Sequence, residues 1–89
     1  MFFKIKEYYT NEEPKREIIS YVRAKDAIAA IRTKTFWRNS TEFTSISKIE
    51  NQAHTQDGNG KNGCQAVKVS AKDYKCRLRE TADGGFQFG

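Results

Sequence analysis

Residues 57–64 read DGNGKNGC, and Gly58, Gly60 and Gly63 within them reproduce the G-x-G-x-x-G spacing of dinucleotide-binding loops. In such enzymes a strand delivers the loop and a helix leaves it, so that free helix N–H groups and the positive end of the helix dipole meet a pyrophosphate. Here Gly63 leads into Cys64-Gln65-Ala66-Val67-Lys68-Val69, whose alternation is that of a strand. Without a helix N-terminus the pattern is a coincidence of a Gly/Asn loop, and no cofactor is expected. Neighbouring loop chemistries fail as well. Cys64 stands where a P-loop needs Lys, and a calcium loop begun at Asp57 would put Lys61 and Lys68 at ligand positions. A kinase glycine loop does join two strands, but 89 residues leave no room for its catalytic loop. As a plain connector the loop is expected to tolerate replacement of Gly60.

The other reactive residues are few and scattered. His54 is the single histidine, in a polar stretch with no nucleophile or orienting carboxylate at a meaningful spacing. Cys64 and Cys76 lack the C-x-x-C spacing of redox and zinc sites, and one histidine with two separated cysteines does not complete a zinc shell. Free thiols are expected, Cys64 in a loop and Cys76 as a small core residue, with no metal site. Glu12, Glu13 and Asp57 read as loop charges, and Trp37 beside Phe36 as a core plug at a helix end. No catalytic residue is assigned, so an enzyme ranks third among the readings.

The elements that would position these residues follow from periodicity. Phe2 to Tyr9 and Arg16 to Ala24 have the aromatic and β-branched content of two strands, joined across Thr10-Asn11-Glu12-Glu13-Pro14 as a hairpin. Residues 25–34 form the expected helix, with Ala24, Ala27, Ile28 and Ile31 on one face and Asp26 in the first turn, where the dipole favours it. Residues 42–50 read as a bulged strand, 51–63 as one long loop, and 66–71 with 74–80 as a second hairpin about Lys72-Asp73. Phe86-Gln87-Phe88 would close the chain as a short strand. The expected fold is therefore a single α+β domain over residues 1–89, an antiparallel sheet of four to six strands with one helix on one face, in the order β-β-α-β-β-β.

Charge is concentrated late in the chain. Lys61, Lys68, Lys72, Lys75, Arg77 and Arg79 face only Asp73 within that stretch, which therefore carries the whole formal net charge of +5. With Lys72-Asp73 as a two-residue turn, Val69 would face Cys76 and Val67 would face Leu78 in the core. Lys68, Lys75, Arg77 and Arg79 would then line the solvent side. Lys4 and Lys6 share a parity with Phe2 and Tyr8, mixing cations and rings as a phosphate backbone with exposed bases would require. The binding residues assigned are Lys4, Lys6, Lys68, Lys72, Lys75, Arg77 and Arg79. The same pattern also suits a solvated sheet face that keeps the chain soluble.

No apolar run approaches a membrane span, and the Met1-Phe2-Phe3-Lys4 start lacks a signal-peptide pattern, so a cytoplasmic protein without membrane contact is expected. The order strand, strand, helix, strand and hairpin over residues 2–50 resembles the compact layout of small phage-encoded inhibitors. These include some anti-CRISPR proteins and a phage inhibitor of bacterial RNA polymerase. The resemblance implies a non-catalytic inhibitor that docks on a host protein or nucleoprotein complex such as a CRISPR effector. The basic charge sets the chain apart from the acidic DNA mimics among them. The alternative is a nucleic-acid-binding domain that uses residues 66–80 on DNA or RNA.

Overall fold

A computed structural model of the chain describes residues 1–11 and 13–75. Strands β1 (Phe2–Tyr9), β2 (Arg16–Arg23), β3 (Ser45–Ser47), β4 (Gln52–Gln56) and β5 (Asn62–Val69) form one antiparallel sheet in the spatial order β2-β1-β5-β4-β3. A short helix α1 (Ala27–Arg32) follows β2 and packs over β5, β4 and β1. The fold is the α+β arrangement that the order of elements implied.

Strict alternation in β1 gives the sheet its two faces. Phe3, Ile5, Glu7 and Tyr9 are buried towards α1, while Phe2, Lys4, Lys6 and Tyr8 point the other way. Directly paired residues share a face, so the β1 register assigns Cys64 and Ala66 of β5 to the helix side, and Val67 and Val69 to the open side. Ala66 lies opposite Ile5 on one neighbour and Ala53 on the other, and all three are buried. Above them Ala27, Ala30 and Ile31 come down from α1. Small side chains on both surfaces let the helix backbone sit close to the sheet.

The helix is shorter than the expected 25–34 because its ends are capped. The Asp26 carboxylate accepts the Ala29 N–H at 2.8 Å as an N-cap, and the Thr33 hydroxyl donates to the Ala30 carbonyl at 2.7 Å. Thr35–Trp37 then form a 3-10 turn that buries Trp37, as expected for a core plug. The Trp37 indole N–H donates to the Tyr9 hydroxyl at 3.2 Å, and that hydroxyl donates to the Glu7 carboxylate at 2.5 Å. Glu7 is only 7 % exposed, so this chain provides the hydrogen bonding that a carboxylate under a helix needs. Burial, and then the bond to Glu7, push the Tyr9 hydroxyl well above its ordinary pKa.

Four sequence expectations are corrected. The long loop over 51–63 contracts to residues 57–61, because Gln52–Gln56 pair with β5 as β4. Only the small residues Ala53 and Thr55 face inward there, so no large apolar residue announces the strand. The strand expected over 42–50 survives as Ser45–Ser47; Phe43 packs on the core, and Ile49 sits in the following turn, 99 % exposed.

The third correction concerns residues 71–75, which are helical and not half of a hairpin about Lys72-Asp73. Ser70 initiates this turn: its hydroxyl accepts the Asp73 N–H at 3.1 Å and its carbonyl accepts the Tyr74 N–H at 3.1 Å. The Ser70-to-Asp73 spacing is a helix-start signal that competes with the turn reading. Val67 and Val69 accordingly lie on the open face and not in the core. Cys76, Arg77, Leu78 and Arg79, and the strand expected over residues 86–88, lie outside the described residues. Fourth, Cys64 is no loop thiol: it is fully buried opposite Glu7, and burial, with Glu7 adding to it, pushes its pKa up to about 12.

Ile31 is fully buried while Ile28 is only half-buried. Ile31→Ala should therefore lose about 2–5 kcal/mol in urea unfolding and Ile28→Ala distinctly less. By the same geometry Ala27→Asp should destabilise far more than Ala29→Asp, because only position 27 would carry a charge into the helix–sheet contact.

Candidate functional site

Helix α1 and the 3-10 turn cover one face of the sheet, and the other face carries its own composition. Residues paired across the strands form rows: Arg23–Phe2–Val69, Tyr21–Lys4–Val67–Gln52–Ser47, Ile19–Lys6–Gln65–His54–Ser45, and Glu17–Tyr8–Gly63–Gln56. Lys4 and Arg23 are exposed, while Phe2, Tyr8 and Tyr21 are half-buried between them. Lys6 pairs with Glu17 at 3.5 Å, and Arg23 lies over the Phe2 ring at 5.9 Å. Tyr74 of the helical turn 71–75 packs on Phe2 with ring centroids 4.4 Å apart. Three cations therefore stand on this face against the single carboxylate of Glu17, among the described residues.

Of the assigned binding residues, the fold brings Lys4 and Lys6 onto this face. Lys68 leaves β5 on the helix side, opposite Phe3, so it does not join them. Lys72 and Lys75 are exposed on the helical turn 71–75, next to the Phe2 end of the open face through Tyr74. Arg77 and Arg79 lie outside the described residues. Phe2 shares the parity of Lys4 and Lys6 in the sequence, whereas Arg23 and Tyr21 were not assigned from it. The signal was available in the parity of β2, whose odd residues share the face of Lys4 and Lys6.

At the far end of the face a hydrogen-bonded chain crosses three strands. The Tyr8 hydroxyl meets His54 Nε2 at 2.9 Å, and His54 Nδ1 meets the Thr44 hydroxyl at 2.5 Å. That hydroxyl also donates to the His54 carbonyl at 3.1 Å, which uses its one proton. Nδ1 must then carry the imidazole proton, and Nε2 accepts from Tyr8. Burial lowers the His54 pKa, which keeps the ring neutral and suits this arrangement. With both ring nitrogens engaged, the chain fixes the Tyr8 ring in place.

Gly63 makes that placement possible. A Cβ there would fall 2.2 Å from the Tyr8 hydroxyl oxygen, so the third glycine of the G-x-G-x-x-G pattern is the floor beneath an aromatic ring. The loop itself joins β4 to β5. Asp57 N–H donates to the Asn62 carbonyl at 3.0 Å and Gly60 N–H to the Asp57 carbonyl at 3.0 Å, so a strand follows the pattern and not a helix. Gly60 has φ 72°, a conformation that L side chains rarely adopt, so the expected tolerance at this position is corrected. Gly58 has open space around it. Among the described residues no three His, Cys, Asp or Glu side chains converge as a metal site. Comparison with protein-family models, curated proteins and solved structures finds no match to this chain.

The three glycines should separate in a denaturation series. Gly58→Ser should be close to neutral, Gly60→Ser should cost about 1–2 kcal/mol for its left-handed backbone, and Gly63→Ala should cost more, with loss of the Tyr8–His54 bond in the His54 ring NMR signals.

The pH dependence of stability has a fixed sign. The native His54 titrates below its ordinary value of 6.5, so between the two values the unfolded chain binds more protons. Stability should be fully present above 6.5 and fall as pH drops through the native value. Urea titrations across pH 4.5–8 should show this component in the native sequence and lose it in His54→Gln.

Proposed function

We propose that this chain is a non-catalytic nucleic-acid-binding protein whose open sheet face takes a single-stranded segment. The observation that carries the reading is the interleaving of Lys4, Lys6 and Arg23 with Phe2, Tyr8 and Tyr21 on the one sheet face that the helix leaves uncovered. An antiparallel sheet spaces these groups at strand separations, with cations suited to phosphates and ring faces suited to bases. Lys72 and Lys75 extend the positive surface past the Phe2 end. Tyr8, His54 and Thr44 hold one another in place and Lys6 pairs with Glu17, an arrangement that supports binding by a preset surface.

Docking on a nucleoprotein complex, the role implied by the likeness to phage-encoded inhibitors, is compatible with the same face, since the nucleic acid of such a complex would be its contact. A free host protein as partner would instead call for an acidic surface complementary to Lys4 and Arg23. Fluorescence polarisation distinguishes these readings. Single-stranded oligonucleotides should bind with a logarithmic salt slope of about −2, from three phosphate contacts at roughly −0.7 each. Lys4→Glu should remove at least one contact's worth of slope and weaken binding about tenfold without loss of folding, and Phe2→Ala should weaken binding at high salt, where stacking remains. No binding to any oligonucleotide in low salt would reject the reading.

A further inference from the structure

Strand β2 is the long edge of the sheet: it pairs with β1 along its whole length and, among the described residues, has no neighbour on its other side. The opposite edge, β3, is only three residues long. Long edge strands are normally blunted by charge, proline or bulges, yet the centre of β2 reads Ile18-Ile19-Ser20-Tyr21-Val22, with no charge, proline or break in register.

The hydrogen-bond phase of this edge is determined. Met1 and Ala24 exchange both backbone bonds, at 3.0 and 2.9 Å, so the even residues of β2 face β1. Thr10 N–H donates to Lys61 in the next ladder, which confirms the same alternation along β1. The N–H and C=O groups of β2 that point away from β1, and that have no strand partner among the described residues, are therefore those of Glu17, Ile19, Tyr21 and Arg23.

We propose that β2 pairs antiparallel with β2 of a second copy, about a two-fold axis that passes beside Ser20. In this register Glu17 lies opposite Arg23 of the other copy, Ile18 opposite Val22, Ile19 opposite Tyr21, and Ser20 opposite Ser20. The odd residues then form the hydrogen-bonded pairs, as the free edge requires. The even residues form the close, non-hydrogen-bonded pairs.

Each position meets its complement: charge meets opposite charge on the open side, and apolar meets apolar on both sides. Shifting the axis to Ile19 would set Glu17 against Tyr21 and Ile18 against Ser20. Shifting it to Tyr21 would set Ile19 against Arg23 and Ser20 against Val22. Only the Ser20-centred register is self-complementary.

A second observation falls at the same point. The Ser20 hydroxyl oxygen is the buried side-chain polar atom that lacks a hydrogen-bond partner among the described residues. On the two-fold axis a turn about χ1 brings the two hydroxyls together, and one donates to the other. Ile18 and Val22 are half-buried at the rim of the core, outside the strands over which α1 lies, and would close against the same pair from the other copy.

Because paired residues share a face, both helices fall on one side, and the two open faces join into one continuous surface. This pairing does not rest on the nucleic-acid reading and stands or falls separately from it.

Sedimentation velocity on the whole chain should show a concentration-dependent monomer–dimer equilibrium with a micromolar midpoint, typical of a small edge-to-edge interface. Glu17→Arg sets arginine against Arg23, and Arg23→Glu sets glutamate against Glu17. Each variant alone should weaken the dimer at least tenfold, while an equimolar mixture of the two should form a heterodimer as tight as the native dimer or tighter. Restoration on mixing excludes misfolding as the cause of the single-variant loss.

In a Cys76→Ser background, Ser20→Cys should form a 20-to-20 disulfide under mild oxidation, read by peptide mass. Cα atoms of a non-hydrogen-bonded pair lie about 4.5 Å apart, within disulfide reach. Ile18→Cys should not link to itself. A chain that stays monomeric at millimolar concentration would overturn the proposal. So would a dimer indifferent to both charge variants, or equal cross-linking at positions 18 and 20.

Discussion

Strand β1 is hydrogen-bonded on both edges from Phe2 to Tyr9, and nearly every other feature of the molecule takes its position from that constraint. A strand paired on both sides cannot slip by one residue without turning its entire inner row outward. Phe3, Ile5 and Glu7 therefore hold Val22, Ser20 and Ile18 on one side, and Lys68, Ala66 and Cys64 on the other, in fixed opposition. The same alternation commits Phe2, Lys4, Lys6 and Tyr8 to the surface opposite α1. One strand thus sets both the core and the candidate interface.

The two faces use hydrogen bonding for different ends. Beneath the helix, Trp37, Tyr9 and Glu7 form a chain that satisfies a buried carboxylate, and Cys64 beside it is a packed thiol whose pKa burial pushes up. On the open side, Thr44, His54 and Tyr8 span β3's approach, β4 and β1 and hold an aromatic ring flat above Gly63. Holding a ring in place before any contact lowers the entropy cost of that contact.

The sheet is also unequal at its ends. At β3 three residues and an exposed turn leave little backbone for another chain to join, whereas β2 presents eight residues in unbroken register. A helix that packed over β2 would shield Ile18 and Val22; α1 instead lies over β1, β5 and β4, where Ala53 and Ala66 permit close approach. The small residues that draw the helix towards β4 thus leave the β2 rim outside its main contacts.

Phe2–Tyr9 and Arg16–Arg23 could be read from the chain because their aromatic and β-branched residues are dense, and α1 because Ala27, Ile28 and Ile31 repeat at the helical period. The strand after Gly63 could be read as well, and with it the failure of the glycine pattern as a nucleotide loop, because alternation there is local. What the chain alone did not reveal depended on partners distant in sequence. Gln52–Gln56 is a strand because Ala53 and Thr55 meet Ala66 and Cys64, and no residue within it is large enough to say so. Lys68 parted from Lys4 and Lys6 because its face is set by pairing with Phe3, whereas a hairpin about Lys72-Asp73 would have reversed that choice; Ser70 decided against the hairpin by capping a helical turn. Local pattern determines which elements form, but a side chain's face is a property of the register between strands, and only the assembled sheet fixes it.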